Sequence, residues 1–253
     1  METFSILGSG WLGFALAKSL KTNYNIKVSI RDLNKKNIMI SEGLDPYFLD
    51  ENNLNNFDAL LSSDYIFINF PPSKFKDYLG FLKKLYSNKN LDNAKKIFFI
   101  SSTSIYPKEE GIYDENSKLY NPSSKIVFDA EKVVLEKSDV IFRCSGLMGY
   151  DRVAGRYFSG KILDSEDVKI NYIHRDDVIE ATKFAISNNI SGIFNLCSKE
   201  HPTKKEIYMH NAKKYGFDKP IFENKKEYIH RIIDGSKIED FGFRYKYPNP
   251  YEY

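Results

Sequence analysis

Apolar and polar positions along this chain follow two periods, one of strands and one of helices. Thr3–Leu7 is a short run rich in β-formers that stops at Gly8. Residues 11–21 then place Leu12, Ala15, Leu16, Ser19 and Leu20 on one helical face. Asn25–Ile30 predicts a second strand followed by Arg31-Asp32, and 45–49 a weaker third ending at Asp50. Residues 65–70 form a continuous apolar run closed by Pro71-Pro72. Residues 74–86 predict a helix with Phe75, Tyr78, Leu79, Leu82 and Leu85 on its apolar side. A strand at 97–100 runs into Ser101-Ser102-Thr103-Ser104; a helix at about 123–137 and a strand at 140–142 follow. Beyond 145 the pattern loosens, with Gly146, Gly149, Gly155 and Gly160 punctuating a loop and a short helix. A helix at 175–188, a strand at 193–196, a helix at about 203–215 and a tail rich in Tyr, Phe and Pro complete the chain.

Strands that are apolar throughout and alternate with helices predict an α/β architecture, a parallel sheet covered on both faces. Ligands on such sheets bind at the carboxyl ends of the strands. Gly8, Arg31, Asp50, Pro71 and Ser101–104 gather at those ends. With no internal repeat and no long linker, a continuous two-lobed molecule with a cleft is expected.

Composition narrows the function classes. Of 253 residues, 42% are hydrophobic and 28% charged, the balance of a globular chain rather than a disordered one. No apolar run approaches the roughly 20 residues of a membrane-spanning helix. The N-terminus shows no signal-peptide pattern. Cys144 and Cys197, in apolar runs, read as small core residues, so a reducing, cytoplasmic setting is expected. Lys+Arg of 37 against Asp+Glu of 34 gives +3, and residues 203–253, with 11 basic and 8 acidic residues, hold the whole surplus. No concentrated basic face is present, which speaks against nucleic-acid binding. Only seven of the basic residues are arginines, so each Arg in this lysine-rich chain draws attention for its planar fork.

The sharpest chemical signal is Gly8-Ser9-Gly10-Trp11-Leu12-Gly13, a G-x-G-x-x-G run that follows a predicted strand and opens a predicted helix. Gly8 permits the tight turn, Gly10 a close backbone approach to a pyrophosphate, and Gly13 close packing of helix on strand. The helix N-terminus adds unpaired N–H groups and partial positive charge. Arg31 lies 18 residues past Gly13, where an acidic residue would bind an NAD ribose. Arginine there suits a 2′-phosphate and favours NADP over NAD, although Asp32 is adjacent. Asp50 sits near the adenine or is an ordinary strand-end turn residue.

Several segments together resemble the NAD(P)-dependent epimerase/dehydratase family, the extended short-chain dehydrogenases/reductases, and more narrowly their atypical branch. These are the GSGWLG loop with Arg31, residues 100–106 (like S-S-x-x-V-Y-G), residues 142–149 (like R-x-x-G-x-Y-G, with Met148 where Tyr is usual), residues 171–177 (like I-H-V-D-D), and the strand near Asn195. The resemblance implies a doubly wound Rossmann domain over 1–150, with returning segments near 165–200, and a smaller substrate lobe over 151–253. It implies hydride chemistry on an alcohol or carbonyl, often of a nucleotide sugar. Ser102 takes the place of the catalytic Ser/Thr that hydrogen-bonds the reacting oxygen, with Ser101 beside the cofactor and Ser104 toward the substrate. The loop Phe70-Pro71-Pro72 resembles one beside the nicotinamide; equally, the prolines serve as a strand terminator.

One departure matters. The family's Tyr-x-x-x-Lys pair, counted back from Glu131, falls on Ser123 and Val127. Tyr120 and Lys125 are five apart, about 140° off a common helical face, so they do not substitute. Tyr120 or Tyr106 reaching the site from a loop, a substrate group or water, or cofactor binding without this chemistry are the alternatives. The function expected is an NADP-dependent oxidoreductase on a small carbonyl or nucleotide sugar, the alternative an NADP-binding sensor or scaffold without turnover. Arg143, Arg152 and Arg156 are expected along the cleft side of the second lobe. There they clamp a substrate phosphate or carboxylate, or pair with Asp151, Asp164 or Glu166. His174 with Asp176 and Asp177 reads as a strand-to-helix junction with Asp176 as helix cap, and no metal site is expected.

Overall fold

The computed structural model describes residues 1–164, 167–223 and 229–253. In chain order the strands and helices are β1 (Thr3–Leu7), α1 (Trp11–Leu20), β2 (Asn25–Ile30), α2 (Lys36–Ser41), β3 (Asp45–Phe48), α3 (Phe57–Leu61), β4 (Tyr65–Ile68), α4 (Tyr78–Tyr86) and β5 (Lys96–Ser102). Then follow β6 (Gly111–Tyr113), α5 (Lys125–Val134), β7 (Val140–Cys144), β8 (Gly146–Met148), β9 (Ile162–Leu163), β10 (Tyr172–His174), α6 (Arg175–Ser187) and β11 (Gly192–Leu196). The last are α7 (Lys204–Tyr215), β12 (Ile221–Phe222), β13 (Arg231–Ile233) and α8 (Lys237–Asp240).

The seven-stranded parallel sheet has the order β11-β7-β5-β4-β1-β2-β3, a doubly wound arrangement. From β1 the chain winds outward through β2 to β3, then crosses back to β4 on the other side of β1. The β1/β4 pair is therefore the topological switch point. The expected helix at 74–86 begins only at Tyr78, because Pro72–Lys74 turns as a 3₁₀ helix and the Asp77 carboxylate caps α4 by accepting from the Gly80 N–H at 2.9 Å.

Two compact units divide the chain. The first comprises Met1–Ser101, Ser124–Phe142 and Ala185–Ile193; the second Ser102–Ser123, Arg143–Phe184 and Phe194–Tyr253. The two units interleave along the chain, because β5 and β7 each leave the first unit at their carboxyl ends. In the first unit a core of Leu7, Ile66, Ile68, Phe81, Leu82, Phe99, Val134 and Ile141 packs between sheet and helices. The second unit is held by two-stranded parallel ribbons, β6/β13, β8/β10 and β9/β12, whose strands are too short to print a period on the sequence. A small core of Ala154, Ile170, Ile207 and Tyr208 supports them.

Two glycines fix how α1 meets the sheet. Gly8 has φ +102, and a Cβ there would lie 2.3 Å from the Asn69 carbonyl oxygen after β4. At Gly13 a Cβ would lie 2.2 Å from the Gly8 carbonyl oxygen. Backbone on both sides leaves no flexible side chain to yield.

The junction before α6 corrects the capping expectation. Asp176 lies inside the first turn, since α6 opens at Arg175, and its own N–H donates to His174 Nδ1 at 3.2 Å. Asp177 does different work. Its buried carboxylate accepts from the N–H groups of Lys246 and Tyr247 at 2.7 and 3.2 Å, tying down the aromatic tail. Tyr247 packs tilted against His174 with ring centroids 3.9 Å apart, so the tail is a strap on the second unit. Cys144 and Cys197 are buried and unbridged, and burial pushes both thiols up to about 12.

Gly13→Ala should cost roughly 1–3 kcal/mol of stability, and Gly10→Ala less than about 1 kcal/mol, read by urea unfolding; equal losses would contradict the packing account. Burial also raises Asp177 to about 6, outweighing its two backbone hydrogen bonds. A raised carboxylate contributes stability that is present below its unfolded value and lost as pH rises through about 6. The Tm advantage of wild type over Asp177→Asn should therefore shrink between pH 5 and pH 7.5; an advantage growing with pH would contradict the assignment.

Candidate functional site

In the first unit the residues at the switch point could hold an anion. Gly8 donates its N–H to Ser29 Oγ at 2.8 Å, and Ser9 Oγ donates to the Ser29 carbonyl, so β2 fixes the loop. Gly10 is the N-cap of α1, with φ −77, no side-chain cap and no acidic residue in the first turn. A Cβ at Gly10 would meet nothing within 4 Å. No protein contact requires glycine there, whereas Gly8 and Gly13 are dictated by packing. Bare backbone at an uncapped helix N-terminus, opened by the half-buried Trp11 and anchored by the buried Leu12 and Gly13, fits a dinucleotide pyrophosphate.

Arg31, at the carboxyl end of β2, points back over the loop after β4. Its Nη1 donates to the Lys74 carbonyl at 2.6 Å, and its guanidinium carbon lies 4.0 Å from the Phe75 ring centroid. Partial burial lowers its pKa, against the attraction of Glu51 and Asp50. Asp32 is occupied elsewhere, accepting from the Asn34 N–H at 3.0 Å to cap a short 3₁₀ turn. Asp50 Oδ1 accepts from the Asn52 and Asn53 N–H groups at 2.8 Å, closing the turn after β3. Pro71 is exposed, while the Phe70 ring is buried against Phe75 and Phe81. Phe70 thus meets the core with its side chain and leaves only backbone for a ligand. Ser101 is buried and donates to Glu131 Oε2 at 2.7 Å, bolting β5 to α5. Phase alone placed Phe75 on an apolar helix face; its role under Arg31 has no sequence signal.

In the second unit Ser102 stands half-exposed at the end of β5, its Oγ accepting from the Ser104 N–H at 3.2 Å. Among the described residues its hydroxyl proton has no acceptor, so Ser102 retains a hydrogen bond to give. Ser104 is half-buried one turn on. Both tyrosines considered for the missing Tyr position are committed. Tyr106, fully buried, donates to Asn195 Oδ1 at 2.8 Å and accepts from Arg143 Nη1 at 2.9 Å. Tyr120, 43% exposed, donates to Glu109 Oε2 at 2.9 Å, and that carboxylate raises its pKa, the wrong direction for a tyrosinate. Lys125 pairs with Asp129 on α5.

Arg143 is a correction. It was expected along the cleft side of the second lobe, but at 3% exposure it lies within the buried strand β7 and grips the Tyr106 hydroxyl. Arg152 is exposed in the turn it forms with Gly149, and Arg156 lies over the rings of Tyr215 and Phe217 at 5.5 and 6.0 Å. Glu166 lies outside the described residues. Ser123, in the place of the family tyrosine, donates to the Tyr106 carbonyl at 2.9 Å and accepts from Arg231 Nη1 at 2.8 Å. Arg231 and Asn195 were not singled out from sequence; the scarcity of arginine was the one available pointer to the former. Burial lowers the pKa of His174, which packs among Tyr150, Tyr247 and Tyr253 as a structural residue. Among the described residues no three His, Cys, Asp or Glu side chains gather as metal ligands would.

No family model matches the chain. Protein YeeZ of Escherichia coli K12 is 30% identical over 268 residues, covering 99% of this chain and 98% of its own. Among solved structures, a UDP-N-acetylglucosamine 4-epimerase from Methanobrevibacter ruminantium in complex with UDP-N-acetylmuramic acid superposes with TM-score 0.82 at 15% identity. It spans 99% of this chain and 95% of that one. MoeE5 in complex with UDP-glucose and NAD gives 0.76 at 16%, over 96% and 93%. The Helicobacter pylori ADP-L-glycero-D-manno-heptose-6-epimerase gives 0.76 at 16%, over 99% and 94%. Such identities speak for the fold, and the YeeZ match for kinship: the chain belongs to the same family as YeeZ and has the fold of the NAD(P)-dependent epimerases/dehydratases, the extended short-chain dehydrogenases/reductases.

Proposed function

We propose that this chain is an NADP-dependent oxidoreductase of the epimerase/dehydratase type, acting on a small carbonyl compound of the nucleotide-sugar class. One observation carries the reading: an uncapped α1 N-terminus with bare Gly10 backbone, and Arg31 held at the end of the adjacent strand. The glycine loop supplies N–H donors to a pyrophosphate. Arg31, pinned on Phe75 and the Lys74 carbonyl, keeps its other N–H groups for a 2′-phosphate, and its placement costs little additional entropy because the fork is already fixed. Asp32 does not oppose it, since its carboxylate is turned into a local cap. Two buried thiols and the lack of a basic face suit a small-molecule enzyme of a reducing compartment.

When bound, the nicotinamide supplies or accepts hydride. Ser102 would donate a hydrogen bond to the substrate oxygen as charge develops on it. Proton exchange at that oxygen falls to water or a substrate group, because the hydroxyls of Tyr106 and Tyr120 are occupied. That same occupation favours a second reading, cofactor binding without turnover.

Arg31→Asp should weaken NADPH binding roughly tenfold to a hundredfold, the worth of a charge-assisted hydrogen bond, and leave NADH binding nearly unchanged by calorimetry. Equal losses would show that Arg31 does not read the 2′-phosphate. Ser102→Ala should cut NADPH turnover on a panel of nucleotide sugars and small carbonyls by about 10²–10³-fold with unchanged NADPH affinity. Wild type binding NADPH with no turnover on any of them would instead support the sensor reading.

A further inference from the structure

In the first unit Phe75 joins the aromatic core to a surface charge. Its ring packs on three others, with the Phe81 centroid 4.6 Å away, that of Tyr78 5.3 Å and that of Phe70 5.5 Å. Those three residues are buried. Phe75 itself is half-buried, and the Arg31 guanidinium lies over its ring, the central carbon 4.0 Å from the centroid. The adjoining Lys74 carbonyl accepts from Arg31 Nη1 at 2.6 Å. Two consecutive residues thus supply a face for the guanidinium and an acceptor for one of its nitrogens.

The segment that carries them is itself fixed. The Phe75 N–H donates to the Pro72 carbonyl at 3.1 Å, closing the 3₁₀ turn. The next two N–H groups, of Lys76 and Asp77, donate to Glu51 Oε2 at 2.8 and 3.4 Å, which ties the loop to the turn after β3. The Tyr78 hydroxyl donates to the Phe70 carbonyl at 3.1 Å and closes the loop on itself. An exposed arginine loses rotamer freedom when it grips an anion, and a rigid support removes part of that loss in advance. Ring and carbonyl are also neutral. They orient the guanidinium without cancelling its charge, whereas a carboxylate in contact would do both. Glu51 attracts Arg31 through space while its Oε2 is engaged by the loop backbone.

We propose that Phe75 is a specificity-determining positioning residue: acting through Arg31, it sets how strongly this chain prefers a dinucleotide that bears a 2′-phosphate. The inference rests on the NADP reading of Arg31 given above and deepens it, because discrimination then belongs to a pair of residues from two different crossovers. Leucine at 75 would still fill space against Phe81 but would offer the guanidinium no aromatic face. Tyrosine would keep that face.

Calorimetric titration of the full chain with NADPH and with NADH gives the ratio of the two dissociation constants. Phe75→Leu should lower the preference for NADPH about three- to tenfold, the worth of a cation–π contact, and Phe75→Tyr should retain it. In an Arg31→Met background the same Phe75→Leu change should move the ratio by less than about twofold, because the ring then has no charge to position. Nuclear magnetic resonance of the cofactor-free protein gives a second readout that needs no leucine variant. With nitrogen-15 in the arginine side chains, the Arg31 Nε–H proton should be shifted upfield by the Phe75 ring in wild type and in Phe75→Tyr. A preference that survives Phe75→Leu, one that falls equally in the Arg31→Met background, or an Arg31 signal without the ring shift in wild type would overturn the inference and leave the reading of Arg31 standing. Wild type with no preference for NADPH, and none to lose in Arg31→Met, would overturn that reading and the inference with it.

Discussion

The first unit is built around a backbone-on-backbone contact. Where β1 turns into α1, the Gly8 carbonyl lies so close under Gly13 that no Cβ fits, and Gly8 is pressed in turn against the Asn69 carbonyl beyond β4. These contacts bring three chain segments together at the switch point of the sheet, and they aim the α1 N-terminus away from the core. Once that helix end is uncapped and unopposed by acidic side chains, a site for a phosphate anion follows from the fold. Gly10 differs from its two neighbours because nothing in the protein asks for it. Its bareness is not set by packing, whereas theirs is.

Arg31 extends the same logic. Its guanidinium is pinned through Nη1 to the Lys74 carbonyl and lies over the Phe75 ring. Pinning removes much of the rotational entropy that a free arginine would lose on binding. In a chain with a near-neutral balance, the proposed phosphate-bearing ligand would be held by local charge and not by a broad positive field.

The sheet was legible because its strands are apolar throughout and the helices between them keep a 3.6-residue phase. Thr3–Leu7 and Asn25–Ile30 agree with the pattern residue for residue. The short ribbons of the second unit were not legible. Pairs such as β9/β12, two residues each, carry no period, and their partners are far apart in sequence. The glycine loop could be read from spacing, since its sterics are local. The fates of Tyr106, Arg143 and Asn195 could not: their shared network joins residues up to 89 positions apart. Asp176 misled for the opposite reason. Its carboxylate sits where a cap reading is natural, yet it accepts from the Tyr150 hydroxyl.

Trp11, the chain's single tryptophan, opens α1 inside the glycine loop and so reports directly on the cradle. Titrating the protein with NADPH and then NADH while following its fluorescence tests the central claim most simply. The account predicts saturable quenching, at lower concentration with NADPH than with NADH; fluorescence unchanged by either dinucleotide would contradict it.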